Sequence, residues 1–214
     1  MDFSLETAIL WVVPVVLAIT LHEAAHGYVA RIFGDQTAWM LGRVTLNPLK
    51  HIDPIGTVLV PGVLFLLKAP FLFGWAKPVP VNFGNLRHPK RDMVWVAGAG
   101  PMANFVMALG WAFLLAATSP TGTLASNGVF EMADAGVKIN LALLALNLLP
   151  VPPLDGGRIA VGLLPNRASQ LLARAEPYGF FVVLALIAIP GALWTILGPI
   201  YRAFATLIYA LAGV

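Results

Sequence analysis

Of the 214 residues, 59% are apolar and 11% charged, and the mean hydropathy is +0.83; a soluble globule needs about 25% charged residues to dress its surface, so lipid must solvate most of this one. The absence of cysteine excludes a disulfide scaffold, Cys-ligated zinc or iron–sulfur centres and cysteine nucleophiles. A net charge of +3 with a pI near 9.5 fits basic residues kept at the cytoplasmic ends of helices rather than a nucleic-acid surface.

A membrane span needs about 20 apolar residues. The chain begins Met1-Asp2-Phe3-Ser4-Leu5-Glu6, acidic where a signal peptide is basic, so the apolar run at 7–33 is expected to remain as a first transmembrane helix. Residues 55–73 are apolar but broken by Gly56, Pro61, Gly62, Lys68 and Pro70. The alternating prolines of Lys77-Pro78-Val79-Pro80 then forbid a helix and favour an extended path. A basic patch, Arg87, Lys90 and Arg91, precedes a second clear span at 93–117. Residues 118–136 read as a loop, 137–149 as a third apolar segment, 177–198 as a further span and 199–213 as a short last one after a break at Gly198-Pro199.

These segments predict an all-α, multi-pass membrane protein with about four to six transmembrane helices and a re-entrant or extended hairpin near 55–82. A single domain is expected over 1–214, with a core at about 7–160 and C-terminal helices at 177–213. No internal repeat or low-complexity tract is visible. Basic residues in short loops mark the cytoplasmic side. With the N-terminus outside, eleven of the thirteen Lys and Arg residues fall inside, and the 118–136 loop, which has none, falls outside. A full crossing at 55–73 would put Arg87, Lys90 and Arg91 on the wrong side. A hairpin avoids this, and non-helical backbone at membrane depth must border protein or a water-filled cavity.

Ionisable residues within a span are costly and mark function. Three stand within five positions of the first helix, in His22-Glu23-Ala24-Ala25-His26. At about 100° per residue, His22 and His26 lie about 40° apart and one turn removed, so both imidazoles reach one point, with Glu23 flanking it. This is the H-E-x-x-H arrangement of two zinc ligands and a carboxylate placed to deprotonate water. In random order, four His and four Glu would give it with a probability of roughly one in a thousand. A merely buried pair of histidines leaves Glu23 in lipid unexplained.

A hydrolytic zinc site needs a third protein ligand and an open position. Asp155 is the remaining buried acid. It follows a helix broken by Pro150, Pro152 and Pro153 and precedes Gly156-Gly157, so it can be aimed sideways at a neighbouring helix. The alternative is a loop aspartate paired with Arg158.

His22-Glu23-Ala24-Ala25-His26 followed by Asn147-x-x-Pro150-x-x-x-Leu154-Asp155-Gly156 resembles the site-2 protease family of intramembrane zinc metalloproteases. Gly100-Pro101-Met102-Ala103-Asn104 resembles the family's small-residue motif between those two, and Gly42 to Gly56 with Gly74 to Asn82 resembles the compact members. The resemblance covers residues 15–160. It implies that His22, His26 and Asp155 bind one Zn2+ ion, that Glu23 is the catalytic base, and that Asn147 positions the substrate or stabilises the oxyanion. It further implies regulated intramembrane proteolysis of a membrane-protein substrate in the cell membrane, and the basic-residue topology puts the active site toward the cytoplasm. The hairpin near 74–82 would present the substrate as an extended strand. Many members carry a PDZ or CBS domain, and the 118–136 loop is too short for a PDZ.

Asn104, Asn140 and Asn147 are amides on apolar segments, readable as interhelical hydrogen bonding or as site residues. Asn140 stands one heptad before Asn147. His51, among loop signals, is expected to anchor the hairpin or lie at the interface, and His88 reads as a solvated loop residue. The six Trp fit interfacial anchoring. A different function class, a zinc-binding membrane transporter or sensor, would use the same histidines and Asp155 along a permeation path, but the duplicated halves usual in transporters are not visible.

Overall fold

A computed structural model of the chain describes residues 5–67, 74–118 and 124–213. Among these the regular structure is all helical, with no strand. Helix α1 spans Leu5–Ile32 and α2 is the short turn Thr37–Met40. A wide π-helical turn, Pro54–Leu59, leads into α3, Val60–Leu66. The long α4, Pro89–Ala117, and α5, Leu124–Asn147, are followed by α6, Asp155–Leu163, α7, Asn166–Arg174, α8, Glu176–Ala188, and α9, Ala192–Ala212.

Three described helices are long and apolar enough to cross a membrane: α1 from Ile9, α4 and α9; the pair α7–α8, bent by 63°, would make a fourth. The number, three or at most four, is a little lower than the four to six expected from the sequence, for local reasons. Helix α5 is long, but Glu131, Asp134 and Lys138 occupy its middle. The apolar run 177–198 is not one span either. It stops at Ile189-Pro190-Gly191, where Gly191 takes a left-handed φ of 79°, and α9 then runs unbroken through Pro199. Proline inside a membrane helix is tolerated when neighbours take up the freed backbone groups.

The loop expected at 118–136 is helical from Leu124 onward. Its Ser, Thr and Gly signals cluster before residue 129, whereas Val129 to Ala135 are ordinary helix formers. The pair Asp134–Lys138, one turn apart, adds local support. The hairpin near 55–82 is present in mixed form, with a helical outgoing leg and an extended returning leg from 74 to 82. The legs are tied by Trp75 N–H to the Gly56 carbonyl (3.1 Å) and Lys77 N–H to the His51 carbonyl (2.9 Å). Its tip at 68–73, with Lys68, lies outside the described residues.

Helices α1, α4 and α5 form the centre, and α9 closes one side. Their contacts are lined with small residues, as expected where dispersion rather than hydrophobicity drives association in lipid. Ala108 and Ala112 of α4 meet Val137, Leu141 and Leu144 of α5 and Ile208 of α9 in the main apolar cluster. Gly136 of α5 packs so tightly on the Trp111 ring that a Cβ there would overlap it. Helix α6 is fastened to the start of α4: Lys90 donates through Nζ to the Leu164 carbonyl (2.5 Å) and to Asn166 Oδ1 (2.9 Å).

Just beyond α1, Asp35 is fully buried and accepts four hydrogen bonds, from Thr37 N–H, the Thr37 hydroxyl, Asn82 N–H and the Asn85 amide. It fastens the far end of the extended leg to α1. Burial alone would raise its pKa, but these donors outweigh burial and hold its carboxyl below the usual carboxylate range. Because the folded pKa is depressed, the stabilisation is present above an unfolded-state pKa of about 3.9 and is lost as pH falls through the lower folded value. Asp35→Ala, which leaves several donors unpaired, is expected to cost about 3 kcal/mol at neutral pH. Thermal unfolding of variant and wild type across pH 7 to 3 checks this: the difference should narrow at the acid end.

Candidate active site

Helix α1 carries His22, Glu23 and His26 one turn apart, and ten residues separate His22 from Ile32 at the helix end. That is about 15 Å along the axis from the helix end. Asp155 is the first residue of α6, and the approach of α6 is made possible by Gly156 and Gly157. A Cβ on Gly156 would lie 2.5 Å from the Leu148 carbonyl carbon, and one on Gly157 2.5 Å from the Val151 carbonyl carbon. The broken segment thus folds back on itself and turns the Asp155 carboxylate toward α1.

Three atoms converge. His22 Nε2 and His26 Nε2 are 3.1 Å apart, and Asp155 Oδ2 lies 3.2 Å from the first and 3.3 Å from the second. Tetrahedral zinc with bonds of about 2.0–2.1 Å spaces its ligand atoms about 3.3 Å apart. The polarity of the atoms supports the same conclusion. His26 Nδ1 donates to the Val96 carbonyl (2.7 Å), and His22 Nδ1 faces Asn104 Oδ1 (2.6 Å). A backbone carbonyl only accepts, so His26 carries its proton on Nδ1. Asn104 directs its NH2 to Ala18 O and Asn140 Oδ1, which leaves its oxygen for His22 and makes His22 an Nδ1–H tautomer as well. Both Nε2 atoms therefore present lone pairs to one another and to Asp155 Oδ2, a buried oxygen with no hydrogen-bond donor. Three converging lone pairs in a buried space repel unless a cation sits among them, and two imidazoles with one carboxylate are a zinc-type donor set.

Gly100 of α4 forms the wall beside this point. A Cβ on Gly100 would come within 2.6 Å of His22 Nε2 and closer still to His26 Nε2. Val96, Gly100 and Asn104 recur every four residues and so share one face of α4, opposite His26 and His22 of the antiparallel α1.

Glu23 stays outside the cluster. Its Oε2 accepts a 2.6 Å hydrogen bond from the Val79 backbone N–H, which places the extended leg next to the site. Val79 also packs against α1 at Gly27. The leg is braced by Arg43, which donates through Nη2 to the Lys77 carbonyl (2.9 Å). His51 is buried, faces the Thr45 carbonyl through Nε2 (3.0 Å) and accepts from Lys77 through its own carbonyl.

The structure thus brings together His22, His26 and Asp155, with Glu23 alongside. Asn147, the last residue of α5, donates its amide to the Leu143 carbonyl of its own helix (3.1 Å). Sequence reading left undecided that Asn104 and Asn140 are linked behind His22, and it gave Gly100 no role of its own. The available signal was the four-residue spacing of Gly100 and Asn104.

Residues 115–190 match the family model described as Peptidase family M50. The chain is 42% identical over 183 residues to "Putative zinc metalloprotease YwhC" of Bacillus subtilis, covering 84% of this chain and 80% of that protein. It is 32% identical over 180 residues to "Putative zinc metalloprotease Rip2" of Mycolicibacterium smegmatis, covering 82% of this chain and 65% of that one. The Rip2 of Mycobacterium tuberculosis strain H37Rv is 30% identical over 192 residues, with 88% and 70% covered. No solved structure matches the chain.

Proposed function

Since the chain belongs to the site-2 protease family, peptidase family M50, we propose that it hydrolyses a peptide bond in or near a transmembrane segment of another membrane protein, the reaction of regulated intramembrane proteolysis. It is a zinc metalloendopeptidase of the membrane. The observation that carries the finer reading is the triangle of three lone-pair atoms, 3.1 to 3.3 Å on a side, deep in an apolar helix and flanked by Glu23.

In this reading residues 1–214 act as one domain, and His22, His26 and Asp155 hold the metal. When bound, zinc polarises the scissile carbonyl and acidifies water to a pKa of about 7. Glu23 takes a proton from the attacking water and passes it to the leaving amine nitrogen. The Val79 N–H orients the Glu23 carboxylate for that transfer. A substrate helix has its carbonyls locked in hydrogen bonds to the next turn, so it must unwind locally before attack. The extended leg at 74–82 offers backbone groups to the freed strand. Asn147, at the helix end that leads toward Asp155, is assigned to substrate positioning.

We place the site toward the cytoplasmic side and the N-terminus outside. The antiparallel pairing of α1 and α4 supports this, because it gathers Arg31, Arg87, Lys90 and Arg91 at one end. The reading is tested with purified protein in liposomes beside a single-span substrate. Cleavage should be lost with a zinc chelator and restored by added zinc, and mass spectrometry should map the new termini within or next to the span. Products ending only in soluble loops would contradict it.

A further inference from the structure

The two histidines are held in different ways. His26 donates directly to a backbone carbonyl, Val96 O, whose polarity cannot change. His22 instead faces a side-chain amide, Asn104, which could present either its oxygen or its nitrogen. What decides is two residues further back. The Asn140 amide nitrogen donates to the Gly136 carbonyl (2.9 Å), an obligate acceptor, so its Oδ1 must face Asn104. That oxygen receives the Asn104 amide nitrogen at 2.9 Å, helped by Ala18 O at 3.4 Å. The Asn104 oxygen is thereby turned to His22, whose Nδ1 must carry the hydrogen and whose Nε2 must carry the lone pair.

Asn104 and Asn140 are both fully buried in α4 and α5. A buried amide–amide–imidazole chain between three helices is costly unless every member is satisfied, and here each bond's direction is fixed by the one behind it. Partners of this kind fix the tautomer and ring orientation of metal-binding histidines, and losing them typically costs about 10- to 100-fold in metal affinity.

We propose that Asn140, acting through Asn104, is a positioning residue that sets the tautomer of His22 for metal binding, so that α5 controls a site to which it contributes no ligand. This rests on the zinc site described above. The predicted consequence is asymmetric: His22 depends on a relay that substitution can break, while His26 does not.

The experiment compares zinc affinity, measured by competition with a chromophoric chelator, in full-length wild type, Asn140→Leu, Asn140→Asp and Asn104→Leu. Asn140→Leu leaves the Asn104 amide oriented only by its long 3.4 Å contact to Ala18 O, and affinity should fall about 10-fold; Asn104→Leu should fall by up to about 100-fold. Asn140→Asp, as the neutral acid, keeps an oxygen facing Asn104 and an O–H to donate to the Gly136 carbonyl, and should restore affinity close to wild type. Thermal stability of the metal-free proteins is measured in parallel. A purely packing role would lower that stability in Asn140→Leu and leave zinc affinity unchanged, which overturns the proposal. Equal weakening in Asn140→Leu and Asn140→Asp also overturns it. If Asn104→Leu does not fold, the two Asn140 variants still decide. Wild type that binds no zinc would overturn the metal site itself, a separate outcome.

Discussion

Glu23→Gln is expected to lower peptide cleavage by about 10²- to 10⁴-fold, the usual contribution of a positioned general base, while bound zinc stays at the wild-type level. Glutamine retains an amide oxygen at the position that accepts the Val79 N–H, so the contact to the extended leg survives. It cannot take a proton from water. The three atoms that could hold a metal belong to His22, His26 and Asp155, so nothing in the triangle changes. The check is the liposome cleavage assay together with metal analysis of the same preparation. Loss of zinc along with activity would mean that Glu23 is a ligand or supports one. Full activity would remove it from the mechanism.

The second large effect comes from a residue with no side chain. Gly100→Ala should abolish detectable cleavage and weaken zinc binding by about 100-fold without deleting a single ligand. The added methyl would lie 2.6 Å from His22 Nε2 and nearer still to His26 Nε2, on the side where the two rings face α4. Flexible side-chain ends normally give way to such an intrusion. These rings cannot retreat without breaking the bonds to Asn104 and Val96 O that aim them. Zinc competition on Gly100→Ala beside Gly98→Ala, whose Cβ meets nothing within 4 Å, separates occlusion of the site from a general effect of alanine in α4. Equal affinities in the two variants would rule out occlusion.

Much of the site can be read from the sequence because its decisive elements are local. His22 and His26 share a helix face by periodicity alone, and Asp155 is singled out by the prolines before it and the glycines after it. Long-range register is what the sequence hides. Nothing in the order of residues says that Asn104 lies opposite His22 and Val96 opposite His26, because that depends on how α1 and α4 cross. Asn140 reads as an ordinary interhelical amide until α5 is seen packed behind Asn104. The span count is blurred for a related reason. The apolar runs at 137–149 and 177–198 do not coincide with single helices, because α5 already starts at Leu124 and carries Glu131, Asp134 and Lys138, and α8 ends at Ala188. The break between α8 and α9 turned on the choice between Pro190-Gly191 and Gly198-Pro199, two similar signals within one apolar run. Only the first carries a left-handed glycine.

The zinc content of purified protein, compared between wild type and Asp155→Ala, bears most directly on the whole account. One zinc per chain in the wild type and a loss of most of it in the variant is the predicted result. A wild type without zinc, or an Asp155→Ala protein that keeps its full complement, would contradict the convergence of two imidazoles from the first helix and a carboxylate from a distant, proline-broken turn on one metal ion.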